Sequence, residues 1–162
     1  MQMHIRMQLY ASDRNAIKKI IESTGYFSRS EQQVALELVE SRLAQGLASG
    51  YYFLISEDED GDIFAYSCYG PIPCTQNSFD LYWIAVDRDH QGFGIGKKLL
   101  YETERNIEKL GGKRIYIETS SRSQYSKTRQ FYQDSGYLKE AVLKNFYFDG
   151  DDKYIYSKKL CS

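Results

Sequence analysis

The sequence lacks most of what would mark a secreted, membrane-spanning or nucleic-acid-coating protein. Among its 162 residues are only three cysteines, Cys68, Cys74 and Cys161. The number is odd and no Cys-x-x-Cys occurs, so the chain carries neither a disulfide framework nor a thiolate metal pattern. The thiols read as ordinary residues of a reducing, cytoplasmic setting. No apolar run is long enough to span a bilayer. Met1–Met7 has no apolar core and does not read as a signal peptide. Charge of one sign is missing too: 21 Lys and Arg face 22 Asp and Glu, for a net −1. Such a surface has no global field to recruit nucleic acid or a membrane, and neither is expected as a partner. Proline occurs twice, as Pro71 and Pro73, in one loop. No linker, repeat or low-complexity segment is visible, and the length suits one domain over residues 1–162.

What the chain has in excess is tyrosine, fifteen copies against eight Phe and one Trp. A tyrosine pairs a large apolar body with a polar tip. Most are expected at half-buried strand positions, and some at a pocket or subunit interface.

The organising stretch is Asp80–Leu100. Leu81–Val86 is an unbroken apolar, β-branched and aromatic run and reads as a strand. Gln91-Gly92-Phe93-Gly94-Ile95-Gly96 follows. A helical pattern begins at once, with Ile95, Leu99, Thr103, Ile107 and Leu110 on one face. The first amides of a helix have no intrahelical partner, and the macrodipole makes that end positive. Glycines leave those amides accessible, and Lys97 and Lys98 add charge. Strand, glycine loop and helix together form a seat for a phosphate or pyrophosphate.

Around it, Met3–Leu9 is expected as a strand. Asp13 caps a first helix, Ser30 and Gln33 have capping-box spacing for a second, and Leu36, Val39, Leu43 and Leu47 line that second helix. Tyr51–Ser56 and Ile63–Tyr69 form a hairpin across the acidic turn Glu57–Asp62. That turn lacks the calcium-loop pattern, so no metal is expected. Lys113–Thr119 is a parallel-type strand, Ser126–Ser135 a short helix, and Leu138–Phe148 and Lys153–Leu160 a last strand pair. The fold class is α/β, or α+β in detail: a mixed, largely antiparallel sheet of about seven strands with four helices.

Three other phosphate-binding loops fail on spacing or context. A P-loop requires Ser or Thr after Gly-Lys and a glycine five residues earlier. A kinase loop requires His-Arg-Asp and Asp-Phe-Gly downstream. The dinucleotide fingerprint fits Gly92 and Gly94, and Glu118 ends the next strand, but Lys97 occupies the third glycine site. The chain also contains one βαβ unit, where a doubly wound sheet needs several.

Gln91, Gly94 and Gly96 match the Gln/Arg-x-x-Gly-x-Gly/Ala signature of the GNAT superfamily of N-acetyltransferases. Phe131-Tyr132-Gln133-Asp134-Ser135-Gly136-Tyr137 resembles a second segment of that family, at the usual distance downstream. The resemblance extends from about Met3 to Leu160 by order of elements.

It implies acetyl-CoA as acetyl donor. The pyrophosphate would sit on the amides of Gly92, Phe93, Gly94, Ile95, Gly96 and Lys97, beside Gln91. The pantetheine arm would pair with the strand edge Ile84-Ala85-Val86, exposed where the family's sheet splays at its central parallel pair, and an amide near Val86 would polarise the acetyl carbonyl. Tyr132 matches the family's general acid. Asp80, six residues before Val86, and Glu118 are the candidate bases, with relay through water a third route. The family's pantetheine-contacting Asn is replaced here by Tyr125, so Tyr125 or Ser126 would make that contact, and Arg129 would meet a CoA phosphate or stay solvated. Tyr26, Phe27, Tyr147 and Tyr154 would line the site of the acceptor, a primary amine of a small molecule or peptide. The protein would act as monomer or homodimer. The alternative reading is a non-catalytic GNAT-fold sensor that binds an acyl-CoA.

Overall fold

The structure, a computed structural model, describes residues 2–160; the expectation for Cys161 falls outside them. Among the described residues the strands are β1 (His4–Arg6), β2 (Tyr52–Glu57), β3 (Ile63–Pro71), β4 (Ser78–Val86), β5 (Arg114–Ser120), β6 (Leu138–Phe148) and β7 (Asp151–Lys159). The helices are α1 (Asp13–Thr24), α2 (Arg29–Gln45), α3 (Ile95–Lys109) and α4 (Ser126–Asp134). All seven strands form one sheet in the order β1-β2-β3-β4-β5-β7-β6. Only β4 and β5 run parallel, joined across α3. No helix of the described residues is long and apolar enough to cross a membrane.

Each face of the sheet buries one core. On one side α3 and α4 pack Ile95, Leu99, Ile107 and Tyr132 against Leu54, Phe64, Leu81, Ile115, Ile117 and Tyr156. On the other, α1 and α2 pack Ile17, Ile20, Ile21, Ala35 and Val39 against Phe53, Ile55, Tyr66 and Ala85. Burial on both faces explains why β2 to β4 read as continuous apolar runs. Tyr66, Tyr69, Tyr137 and Tyr156 are fully buried, deeper than half-buried strand positions. A buried 2.7 Å hydrogen bond between Ser67 and Thr103 ties β3 to α3.

The helix starts differ from expectation in detail. Ser28, not Ser30, caps α2 and accepts from the Glu31 amide at 3.1 Å. Asp13 lies in the first turn of α1 rather than capping it. Arg6 donates to both Asp13 oxygens at 2.8 Å, pinning β1 to α1. Leu43 and Leu47, expected on the apolar face of the second helix, are exposed; Ala35 and Val39 carry that contact.

Two irregularities of β4 shape the site. Tyr69 pairs with Leu81 and Cys68 with Trp83, so Tyr82 is an extra residue, a β-bulge. The bulge exchanges the faces: Phe79 and Leu81 join the α3 core, whereas Trp83 and Ala85 join the α1/α2 core. The second irregularity is the short parallel ladder. Only Ser78, Phe79 and Asp80 pair with β5, opposite Arg114, Ile115 and Tyr116. Beyond them the strands part, and the β5-facing edge of β4 opens from Leu81 to Val86.

Candidate active site

The opening between β4 and β5 holds two cavities. One, of about 560 Å³, lies over the glycine loop and is lined by Ile84, Val86, His90, Gln91, Gly92, Gly94, Ile95, Gly96, Lys97, Gln124, Lys127 and Phe131. The other, of about 330 Å³, lies between the parted strands on the side of Phe27 and the β6–β7 turn and is lined by Phe27, Glu31, Tyr82, Trp83, Glu118, Ser120, Arg122, Tyr125, Tyr147, Phe148 and Asp151. Tyr26, Ile84, Thr128 and Tyr132 border both. Two substrates entering from opposite sides would meet at those four residues.

The glycine loop has the geometry of an anion seat. Gly94 is the N-cap of α3 at φ 78° and offers no side-chain cap. Gly92 has φ 85°. A Cβ on Gly92 or Gly94 would meet nothing within 4 Å, so the space above both is open. Ile95 to Lys97 present the unpaired amides of the first helical turn toward it. Gln91 turns back and donates from Nε2 to the Val86 carbonyl at 2.9 Å. That bond fixes the loop to the end of β4, a role for Gln91 that spacing alone does not reveal.

Tyr132 is buried against Phe131, Tyr137 and Tyr156. Burial, with the neighbouring Tyr26 second, raises its phenol above the ordinary value. It therefore holds its proton through neutral pH. Asp80 sits half-buried where the ladder ends. Burial and then the charge of Glu118 push its carboxyl up to about 6, against opposing effects of the Tyr82 hydroxyl and Lys153. Glu118 lines the second cavity and pairs with Lys153 at 2.8 Å. Asp80 itself lines neither cavity.

Several expected site residues lie elsewhere. Phe93 is 78% exposed and lines neither cavity. Ala85 is buried in the α1/α2 core because the bulge turns it there. Tyr125 faces the second cavity, not the glycine cleft, and its hydroxyl donates to Glu31. Ser126 is exposed and outside both cavities. Arg129 is occupied structurally: its Nη1 donates to the Ser120 and Arg122 carbonyls, each at 2.8 Å. It is neither at a phosphate seat nor solvated. Tyr154 stacks under Lys139 and Arg129 rather than lining the second cavity. A short helical turn, Ser123–Tyr125, precedes α4 in this segment. Gln124, Lys127 and Thr128 face the glycine cleft.

Sequence reasoning missed Glu31, Arg122 and Asp151. Arg122 lies 3.4 Å from Glu31 and 3.2 Å from Asp151, between the rings of Tyr125 and Phe148. Their only prior signal was Asp151 within an acidic turn, a signal shared with many solvated loops.

Comparison with known proteins agrees with this layout. No curated protein sequence matches the chain. A protein of Desulfovibrio desulfuricans, assigned in its crystal structure as a GNAT-family acetyltransferase, is 41% identical, with 99% of this chain and 100% of that one covered and a TM-score of 0.95. The ribosomal-protein-S18-alanine N-acetyltransferase of Escherichia coli shares the fold at 19% identity, TM-score 0.77 and coverage of 99% and 96%. The PaiA N-acetyltransferase of Thermoplasma acidophilum, solved with coenzyme A, does so at 20% identity, TM-score 0.76 and coverage of 99% and 100%. The profile of the Acetyltransferase (GNAT) family matches residues 15–137, and the chain belongs to that family.

Proposed function

We propose that the protein transfers acetyl from acetyl-CoA directly to a primary amine of a small molecule or peptide. The observation that carries this is the meeting of an open helix-N-terminal seat and an acceptor cavity at Tyr132 and Ile84, where β4 and β5 part. The relatives support the donor: the PaiA structure contains coenzyme A, and the YncA acetyltransferase of Salmonella typhimurium was solved with acetyl-CoA.

In this reading the amides at Gly94 to Lys97 hold the pyrophosphate, and the free edge of β4 hydrogen-bonds the amide-rich arm as an added strand. Asp80, directly or through water, accepts the proton that the acceptor ammonium must lose. The freed amine forms the C–N bond as the C–S bond breaks. Tyr132 gives its hydroxyl proton to the departing thiolate, and the second proton of the attacking nitrogen, lost as the amide forms, restores the Tyr132 hydroxyl. Residues 1–162 act as one catalytic domain.

The test is release of free CoA thiol from acetyl-CoA over a panel of amines, alongside calorimetric titration of acetyl-CoA. Binding with amine-dependent thiol release supports the transferase. Binding without release on any amine favours an acyl-CoA-binding sensor, and no binding removes both.

A further inference from the structure

The acceptor cavity has a chemical character of its own, and the inference drawn from it rests on the acceptor assignment above. Its walls are aromatic: Tyr26, Phe27, Trp83, Tyr125, Tyr147 and Phe148. Its charged lining is unbalanced. Arg122 is a single guanidinium shared between Glu31 and Asp151, at 3.4 and 3.2 Å. Asp151 is 3% exposed and also accepts from Ser120; Glu31 also accepts from Tyr125. That trio keeps one net negative charge inside a largely apolar box. The Glu118–Lys153 pair at the other end adds none.

The walls already show which charge they hold well. Arg122 lies between two rings, 5.6 Å from Tyr125 and 5.7 Å from Phe148. Lys153 lies 5.8 Å from the ring of the wall residue Tyr147, and 3.8 Å over Phe146 outside the cavity, and pairs with Glu118. In both cases a cation is held by aromatic faces plus a carboxylate, the arrangement that favours cations most when water is excluded. An acceptor bearing a carboxylate would meet the negative charge of Glu31 and Asp151, and displacing Asp151 from Arg122 would leave a buried carboxylate unpaired, at high cost. A volume of about 330 Å³ is at the small end of ligand cavities, which favours a slim chain.

We propose that the acceptor is a small linear di- or polyamine, with one amine at Tyr132 and a second, charged one against Glu31, which thereby determines specificity. The Glu31 side chain keeps about a third of its surface open, so it can receive the distal cation without rupture of the core.

The test is calorimetry of diaminobutane, butylamine and γ-aminobutyrate on wild type and Glu31→Gln, each with and without saturating CoA. The expected result is that diaminobutane binds wild type about tenfold or more tightly than butylamine, and γ-aminobutyrate more weakly than either. In Glu31→Gln the diamine preference should fall to near unity, with butylamine affinity and melting temperature close to wild type. Glu31→Asp should restore part of the preference. Equal affinities of diaminobutane and butylamine for wild type, tighter binding of γ-aminobutyrate, or a diamine preference that survives Glu31→Gln would each overturn the proposal. The CoA titration reads the donor separately: diamine preference without CoA binding overturns the transferase assignment and leaves the cation site standing.

Discussion

Replacing Asp80 with asparagine should move stability and rate in opposite directions at neutral pH. Asp80 is raised from 3.8 to about 6, first by burial and then by Glu118. At about 1.4 kcal/mol per pK unit that shift corresponds to about 3 kcal/mol at full weight. The side chain is only half-buried, and screening by water reduces the figure to about 1–2 kcal/mol. The sign follows from proton binding. The folded protein holds this proton more tightly than the unfolded chain, so wild type loses stability as pH rises from about 4 to about 6, and the loss persists above. Below about pH 4 both states are protonated and the contribution vanishes. Asp80→Asn has no such loss. By urea or thermal denaturation it should be more stable than wild type at pH 8 by about 1–2 kcal/mol, or roughly 2–6 °C, and equal to it near pH 4. Its turnover should fall ~10²-fold at pH 7 and recover partly near pH 10, where roughly a quarter of a lysine-like amine is already neutral. A variant destabilised equally at every pH would refute the account of burial and repulsion. A pH–rate profile like that of wild type would remove Asp80 as the base. Glu118→Gln completes the pair: a steep loss at low pH there, and not in Asp80→Asn, transfers the role to Glu118.

Three further outcomes are expected. Gly94→Glu puts a carboxylate into the open seat at a backbone φ of 78°; calorimetry should show acetyl-CoA affinity reduced more than tenfold, and equal affinity would remove the loop from the site. Tyr132→Phe should keep acetyl-CoA affinity and lower turnover ~10²–10⁴-fold when chemistry is rate-limiting; unchanged turnover would reduce Tyr132 to packing. Thr103→Val strands the buried Ser67 hydroxyl and should cost about 1–3 kcal/mol, or roughly 2–10 °C, whereas pairing it with Ser67→Ala should recover most of that.

The features legible in the sequence were those with a local cause. The glycine seat could be read because Gly94 must adopt a left-handed conformation directly before an amphipathic run whose buried face is Ile95, Leu99, Thr103 and Ile107. The antiparallel pairs announced themselves by apolar runs and turn residues. The α2 cap was expected at Ser30, but Ser28 also stands before the run and is the residue that accepts from the Glu31 amide. The bulge at Tyr82 had no local mark at all. Nothing in Ser78–Val86 differs from a regular strand, yet the bulge decides that Ala85 points into the core. Tyr125 lies away from the expected cleft because its hydroxyl bonds Glu31 and the Tyr26 carbonyl, nearly a hundred residues away, and Arg129 because it bonds the Ser120 and Arg122 carbonyls. Glu31 and Arg122 meet across 91 positions of sequence, so their pairing could not be read from spacing.

The three-rung ladder between β4 and β5 has a consequence for how the molecule comes apart. The sheet is sewn along its middle for less than half the length of either strand. On one side of that seam lie β1 to β4 with α1 and α2; on the other lie β5, β6 and β7 with α4. An unfilled seam is a natural fault line, and partial opening there costs less than opening within either block. A ligand that adds hydrogen bonds along the free edge of β4 fastens both blocks at once. At a hundredfold excess over its dissociation constant it adds about 2.7 kcal/mol. Hydrogen exchange should show that gain on both sides of the seam, at amides in β4 and β5 alike. Donor binding would thus protect β4 and β5 together, along a seam otherwise bridged by three ladder pairs and the α3/α4 core.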